Sequence, residues 1–245
     1  DASAFTKHTV RGAGATAFLD WFTCNKLPSI GRINLTYALT PTGTTRTEYT
    51  IVRNGENDYY LVSAGAWTAY DADYMRKSAE DFVAAGGAPV EINDVTNQWG
   101  VFALAGPNAR KILREVVKDA DPDTVLSNKR FPWLTARKLE LGMCPVNAIR
   151  VAYTGELGWE LHHPIEMNRY LWDLLQVAGA KHGMKLVGAR AQNWLRQEKS
   201  YRAFGNELGR DVIGPEFMRF VPFLFSLFIF ILTNNIFGIV PLIQF

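Results

Sequence analysis

The stretch RVAYTGELGWELHHP, residues 150–164, sets the reading of this chain. Its centre, TGELG at 154–158, concentrates turn formers between two strand-like runs, so a tight reversal is expected there. Glu160 then stands near the start of the second strand, where the backbone dictates which way its carboxylate faces. A carboxylate held like this can accept two hydrogen bonds from an N–H/NH2 edge, such as that of a pterin ring. On physical grounds alone a solvated strand glutamate is an equal reading, and both stay open. His162 and His163 adjoin on the same strand, so they face opposite sides and form no local two-ligand metal site.

Outward from this turn, 137–141, 146–153 and 159–163 read as a three-strand meander with reversals at Gly142 and Thr154-Gly155. Upstream, 48–53 and 59–64 are β-rich runs joined by NGEND at 54–58, a hairpin signal. Residues 67–85 carry Tyr70, Tyr74 and Phe82 at helical spacing and stop at Gly86-Gly87. Strands are expected at 89–95 and 99–105. Gly106-Pro107-Asn108 then turns into a helix with Ala109, Ile112, Leu113, Val116 and Val117 on one face. Helices at 167–180 and 190–201 follow. Strand groups mixed with single helices, without internal repeats, give the class α+β.

Composition narrows the function. The chain has 245 residues, enough for a sizeable core, and a net charge of +2 without a Lys/Arg run, which argues against a nucleic-acid partner. Cys24 and Cys144 lie far apart with no CxxC or Cys/His spacing, so two buried free thiols in a reducing compartment are expected. The start, DASAFTKHTVRGAGA, has no apolar run of signal-peptide type and no initiator Met, and reads as a piece from mid-chain. His8 and His182 are isolated and read as packed or solvated. Trp67, Trp99, Trp133, Trp159 and Trp194 read as core, with one of them able to floor a ring. No Gly-x-Gly-x-x-Gly follows a strand, and no Ser/His/Asp or Cys/His set assembles by spacing.

From Ala4 to about Asp211 the chain resembles the tetrahydrofolate-binding domain of the glycine-cleavage T-protein (aminomethyltransferase) family. The matching pieces are Leu27-Pro28, Gly31-Arg32-Ile33-Asn34, Ala38-Leu39-Thr40-Pro41-Thr42-Gly43 and Thr47-Glu48-Tyr49-Thr50-Ile51. They continue with Asp94-Val95-Thr96, Trp99-Gly100-Val101, Ala105-Gly106-Pro107, TGELGWEL at 154–161 and Leu195-Arg196-Gln197-Glu198-Lys199. Within the family it looks most like the folate domain fused behind the flavin domain of dimethylglycine and sarcosine dehydrogenases. Glu48 in place of the more usual Asp, and Leu35 where T-protein tends to carry Tyr, favour that branch.

The resemblance implies an α+β T-protein-like fold, with the family's C-terminal barrel missing. It implies tetrahydrofolate as cofactor and a methylated amine as the other small-molecule partner, with FAD on a domain absent from these residues. A methylene iminium from the amine would be captured to give 5,10-methylene-tetrahydrofolate. Glu48 is the implied acid near N5 and N10, and Glu160 the implied partner of the pterin edge. Gln192 aligns with a folate-gripping Arg of the family, and Arg190, two residues earlier, is the nearest arginine. A non-catalytic folate-binding module is the rival class. Its iron–sulfur assembly relatives carry a Lys-Gly-Cys-Tyr-x-Gly-Gln-Glu box that this sequence lacks.

After Arg210 the composition changes, and residues 220–245 (FVPFLFSLFIFILTNNIFGIVPLIQF) contain no charge. About 20 apolar residues cross a bilayer core, so one hydrophobic, transmembrane-type helix is expected within 212–245, after a domain at 1–211. From about Arg210 onward the sequence resembles a fragment of the a subunit of F-type ATP synthase, which would make the chain a chimera, or make an ATP-synthase-related fragment a third reading. Residues 1–211 are expected in the cytoplasm, and the tail would favour the membrane. Oligomeric state is open.

Overall fold

In the computed structural model, which describes residues 1–208, burial alternates along the strand Thr45–Gly55, the mark of a strand with two different faces. The order is β1 (Thr6–Arg11), α1 (Ala15–Phe22), β2 (Ile33–Leu39), β3 (Thr45–Gly55), β4 (Asp58–Ser63), α2 (Thr68–Ala84), β5 (Glu91–Asp94) and β6 (Trp99–Ala105). Then come α3 (Ala109–Val116), α4 (Pro122–Val125), β7 (Ala136–Leu141), β8 (Cys144–Ile149), β9 (Gly158–Pro164), α5 (Asn168–Ala180) and α6 (Ala189–Glu198). The strands form a five-stranded sheet, β2-β3-β4-β1-β5, and a four-stranded sheet, β6-β9-β8-β7. The expected α+β class and the β7-β8-β9 meander are both present.

The two faces of each sheet have different partners. On the first sheet, Ile51 and Leu61 join Phe18, Leu19 and Phe22 of α1 and Met75 of α2 in one core. Their strand neighbours Val52, Tyr60 and Val62 point the other way and join Ile33, Val95 and, from the second sheet, Ile149. The second sheet repeats the scheme, with Phe102, Val146, Trp159 and Leu161 packed against Ile112 and Leu113 of α3 and Leu171 and Leu175 of α5. The α3 face repeats at i, i+3, i+4 and i+7, as its sequence requires, with Ala109, Ile112, Leu113 and Val116 buried. Each large apolar side chain buried in these cores contributes about 1.5–3 kcal/mol. Helices therefore cover the outer face of each sheet, and the inner faces meet. The sheets are also tied directly by a bridge between Arg32 and Thr135.

These contacts all lie in one compact unit, Asp1–Leu39 with Arg46–Tyr201. The other unit holds Thr40–Thr45 and, among the described residues, 202–208. Within it a turn is closed by the Gly43 N–H to the Thr40 carbonyl, at 2.8 Å.

Several expectations need correction. The strand expected at 146–153 ends at Ile149, because the Val151 N–H turns back onto the Ile149 carbonyl at 2.9 Å. The helix expected to reach 201 ends at Glu198, and Ser200 takes a left-handed φ of 58° that a helix cannot continue through. The strand expected at 89–95 is shortened to Glu91–Asp94. Trp159 is core, but Trp67, Trp133 and Trp194 are 48%, 61% and 67% exposed. Cys144 is buried as expected, whereas Cys24 is exposed. β1, α1 and β2 carried no assignment from sequence. The hydrophobic stretch at 220–245 lies outside the described residues; among those that are described, no helix is long and apolar enough to cross a membrane.

Candidate functional site

Adjacent residues of a strand face opposite sides, and β3 uses this to place two acids' worth of chemistry on separate faces. Thr47 faces the helices, where its hydroxyl donates to the Asp71 carboxylate of α2, whose other oxygen accepts from Ser63 Oγ at 3.1 Å. Burial pushes the Asp71 carboxyl up, and these two hydroxyl bonds and nearby Arg46 pull it part of the way back. The cluster anchors β3 to α2 and sets its pleat.

With Thr47 turned outward, Glu48 shares the inner face with Val52. It is partly buried there, and the Tyr37 hydroxyl of β2 donates to it. Burial raises the Glu48 pKa, and the Tyr37 bond offsets part of that rise. Burial first, then the charge and hydrogen bond of Glu48, push the Tyr37 phenol far above its ordinary value, so it stays a donor. Tyr37 was not singled out from sequence. Its signal was legible, since it is an aromatic at the same parity as Ile33 on the strand beside Glu48.

On the second sheet, the same alternation divides β9. Trp159, Leu161 and His163 face the helices, and Glu160 and His162 face inward. His163 is fully buried, bonded by Nδ1 to the Leu161 carbonyl at 2.9 Å and by Nε2 to Asn168 Oδ1 at 3.0 Å. His162, 1% exposed, lies on the inner side, with Nε2 3.3 Å from Glu160 Oε2 and Nδ1 2.9 Å from the Tyr60 hydroxyl of β4. The opposed facing of the two histidines is thus as expected. The Glu160 side chain is 21% exposed. Glu48 and Glu160 therefore stand on the two inner faces, one on each sheet.

The TGELG turn is held from outside by α6. Gly155 has a φ of +69°, and a Cβ there would lie 2.6 Å from the Lys199 side chain, so glycine is required on two counts. Lys199 pairs with Glu156 at 3.2 Å. Buried Arg196 donates to the Tyr201 carbonyl at 2.7 Å and lies over the Tyr153 ring at 5.9 Å. The Leu195–Lys199 segment thus fastens the turn that carries Glu160. Arg190 and Gln192 lie in the first turn of the same helix, Arg190 exposed and Gln192 partly buried. Among the described residues, neither is hydrogen-bonded to Glu48 or Glu160. No group of three or more His, Cys, Asp or Glu side chains suited to a metal occurs among the described residues.

Residues 1–216 match the GCVT N-terminal domain, running past the boundary expected at Asp211. The chain is 35% identical over 211 residues to human mitochondrial dimethylglycine dehydrogenase, covering 86% of this chain and 23% of that protein. It is 30% identical over 214 residues to the aminomethyltransferase of Chlorobaculum tepidum, covering 86% of this chain and 56% of that one. It thus spans about a quarter of the dehydrogenase and just over half of the transferase. The crystal structure of the glycine cleavage system aminomethyltransferase T from Bartonella henselae superposes with a TM-score of 0.70 at 23% identity, over 86% of this chain and 53% of that one, which shows the shared fold. Likeness in fold and in sequence along most of its length lead to one conclusion: the chain belongs to the GCVT N-terminal domain family, that of the aminomethyltransferases and of the dimethylglycine dehydrogenase relatives.

Proposed function

We propose that this chain binds tetrahydrofolate between its two sheets and takes part in capturing a one-carbon unit from a methylated amine of the dimethylglycine or sarcosine type. The observation that carries the reading is the placement of Glu48 and Glu160 on facing inner surfaces. The donor set fits the ligand. A pterin edge offers neighbouring N–H and NH2 donors, and Glu160 is an acceptor held in place on a strand. The amines toward the middle of a reduced folate gain positive charge as the carbon is transferred, and Glu48 is a partly buried carboxylate that would lie opposite such a charge.

When bound, tetrahydrofolate supplies the N5 and N10 amines that receive the one-carbon unit to give 5,10-methylene-tetrahydrofolate. The chain's own residues do the rest. Glu160 orients the ring and sets its depth. Glu48, whose burial disfavours its charge, gains most from a cation close by, so it stabilises charge that develops during transfer more than the neutral ground state. Tyr37 keeps that carboxylate aimed. The inner apolar residues exclude water, and holding both reactants in register contributes the larger share of the rate. Gln192, with Arg190 beside it, is the proposed contact of α6 with the remainder of the folate. The oxidation that generates an iminium belongs to a flavin domain elsewhere in such proteins. We place the end of the folate domain near Asp211, with residues 212–245 as a separate hydrophobic segment.

Calorimetric titration of the chain with tetrahydrofolate tests this. Saturable binding that is weakened in Glu160→Gln and largely kept in Glu48→Gln is expected, and unchanged affinity in Glu160→Gln would overturn it. A non-catalytic folate-binding module is separated by the second variant in a one-carbon transfer assay: the proposed enzyme should lose turnover on Glu48→Gln while still binding folate, whereas a module would show no transfer in either form.

A further inference from the structure

We propose that Tyr60 and His162 form a hydrogen-bond relay that aims the Glu160 carboxylate, which makes them positioning residues for the ring-binding acid. The inference rests on the reading of Glu160 given above and adds to it the parts that determine its aim. A glutamate near the start of a strand ordinarily samples several rotamers. Here one oxygen, Oε2, lies 3.3 Å from His162 Nε2, and the imidazole is itself 1% exposed and so has no water to turn toward.

The proton count follows from the partners. An ionised carboxylate only accepts, so Nε2 carries the hydrogen. In the neutral ring Nδ1 is then the acceptor, and its partner 2.9 Å away, the Tyr60 hydroxyl, must donate. Burial, and after it the Glu160 charge, push the Tyr60 phenol far up, so that donor is always present. One direction of donation, Tyr60 to His162 to Glu160, satisfies every group and leaves Oε1 and the second lone pair of Oε2 for a two-donor ligand edge.

The relay is also braced against rotation. The Tyr60 ring meets the imidazole edge-on, with centroids 5.4 Å apart at 88°, and stands edge-on to Trp99 at 6.3 Å. On its own sheet His162 lies between Val101 of β6 and Asn147 of β8. Tyr60 belongs to the other sheet, 102 positions away in sequence, so docking of the two sheets aims the acid.

The test combines a spectroscopic signature with binding. Nitrogen-15 NMR of the imidazoles in the ligand-free chain should show His162 as the Nε2–H tautomer, with Nδ1 bare. Tyr60→Phe should mix the tautomers and weaken tetrahydrofolate binding by up to about tenfold, the worth of one net hydrogen bond. His162→Gln, whose amide can donate to Glu160 and accept from Tyr60, should stay close to wild type, and His162→Phe should not. An Nδ1–H tautomer in the wild type would overturn the relay. So would a Tyr60→Phe variant that loses thermal stability while keeping both tautomer and affinity. If the signature holds but Glu160→Gln binds folate normally, the ring-binding reading of Glu160 fails and the relay to the carboxylate stands.

Discussion

Each of the two sheets carries a carboxylate on its inner face and supports it in a different way. Glu48 is held by Tyr37 from the strand next to it, joined through a short connection, so its support is local. Glu160 is held by His162 two residues along its own strand, and His162 in turn by Tyr60 on the other sheet, 102 positions away. The first carboxylate is positioned once its hairpin forms. The second is positioned only when both sheets have docked. In this frame, the acid proposed to balance a developing charge is set by secondary structure, and the acid proposed to recognise the ring is set by tertiary structure.

The largest expected effect tests whether the sheets stand or fall together. Trp159→Ala on the second sheet and Phe18→Ala on the first each remove a fully buried aromatic and should cost about 3–5 kcal/mol. Since the inner core is shared by both sheets, denaturant curves should shift as single transitions. Two separated transitions would show that the halves fold independently, and the support of Glu160 would need another explanation.

Next in size is the contrast within β9. Glu160→Gln should weaken tetrahydrofolate binding about tenfold or more, the worth of a hydrogen bond to a charged group. His163→Gln should lower the unfolding midpoint and leave the affinity of folded molecules alone. Equal losses of affinity would remove the distinction between the inner and outer faces.

Gly155→Ala should destabilise by about 1–2 kcal/mol through its left-handed backbone, and more where Lys199 cannot move aside. Lys199→Ala removes a solvated ion pair with Glu156 and should cost less than about 1 kcal/mol. Thermal melts of the two variants side by side check whether the backbone or the ion pair holds the turn.

The smallest effect is a pH slope. The folded Glu48 pKa is raised by burial, so the native state holds its proton above the ordinary value of 4.5 more than the unfolded state does. Its contribution to stability is complete below that value and is lost as pH rises through the raised one. The difference in stability between wild type and Glu48→Gln should therefore move in favour of the variant with rising pH, at less than about 1.4 kcal/mol per pH unit. Melting curves from pH 4 to 8 measure it, and a flat difference would mean that Glu48 is solvated.

Much of the frame was legible because it depends on short-range periodicity. The α3 face at 109, 112, 113 and 116, the hairpin around Asn54–Asp58, and the turn at TGELG each follow from residues within a few positions of one another. Where longer-range contacts decide, the reading fell short. Residue type predicts Trp133 and Trp194 in the core, yet both are largely exposed, because which neighbours reach a tryptophan is decided far away in sequence. Val151 is a good strand former, so the sequence predicts a strand through 153, and only the turn back onto Ile149 shows where the sheet ends.

From sequence alone came the α+β class, the resemblance to the T-protein family and the choice of Glu48 and Glu160 as the acids of interest. The class follows from residue type and spacing, and the two acids are what the resemblance implies; the chain carries both without being folded. The tertiary structure decided that both acids face inward, that Tyr37 caps one, and that His162 with Tyr60 aims the other. Pleat parity says which residues share a face of one strand, but only packing of one sheet on another decides which face is inside.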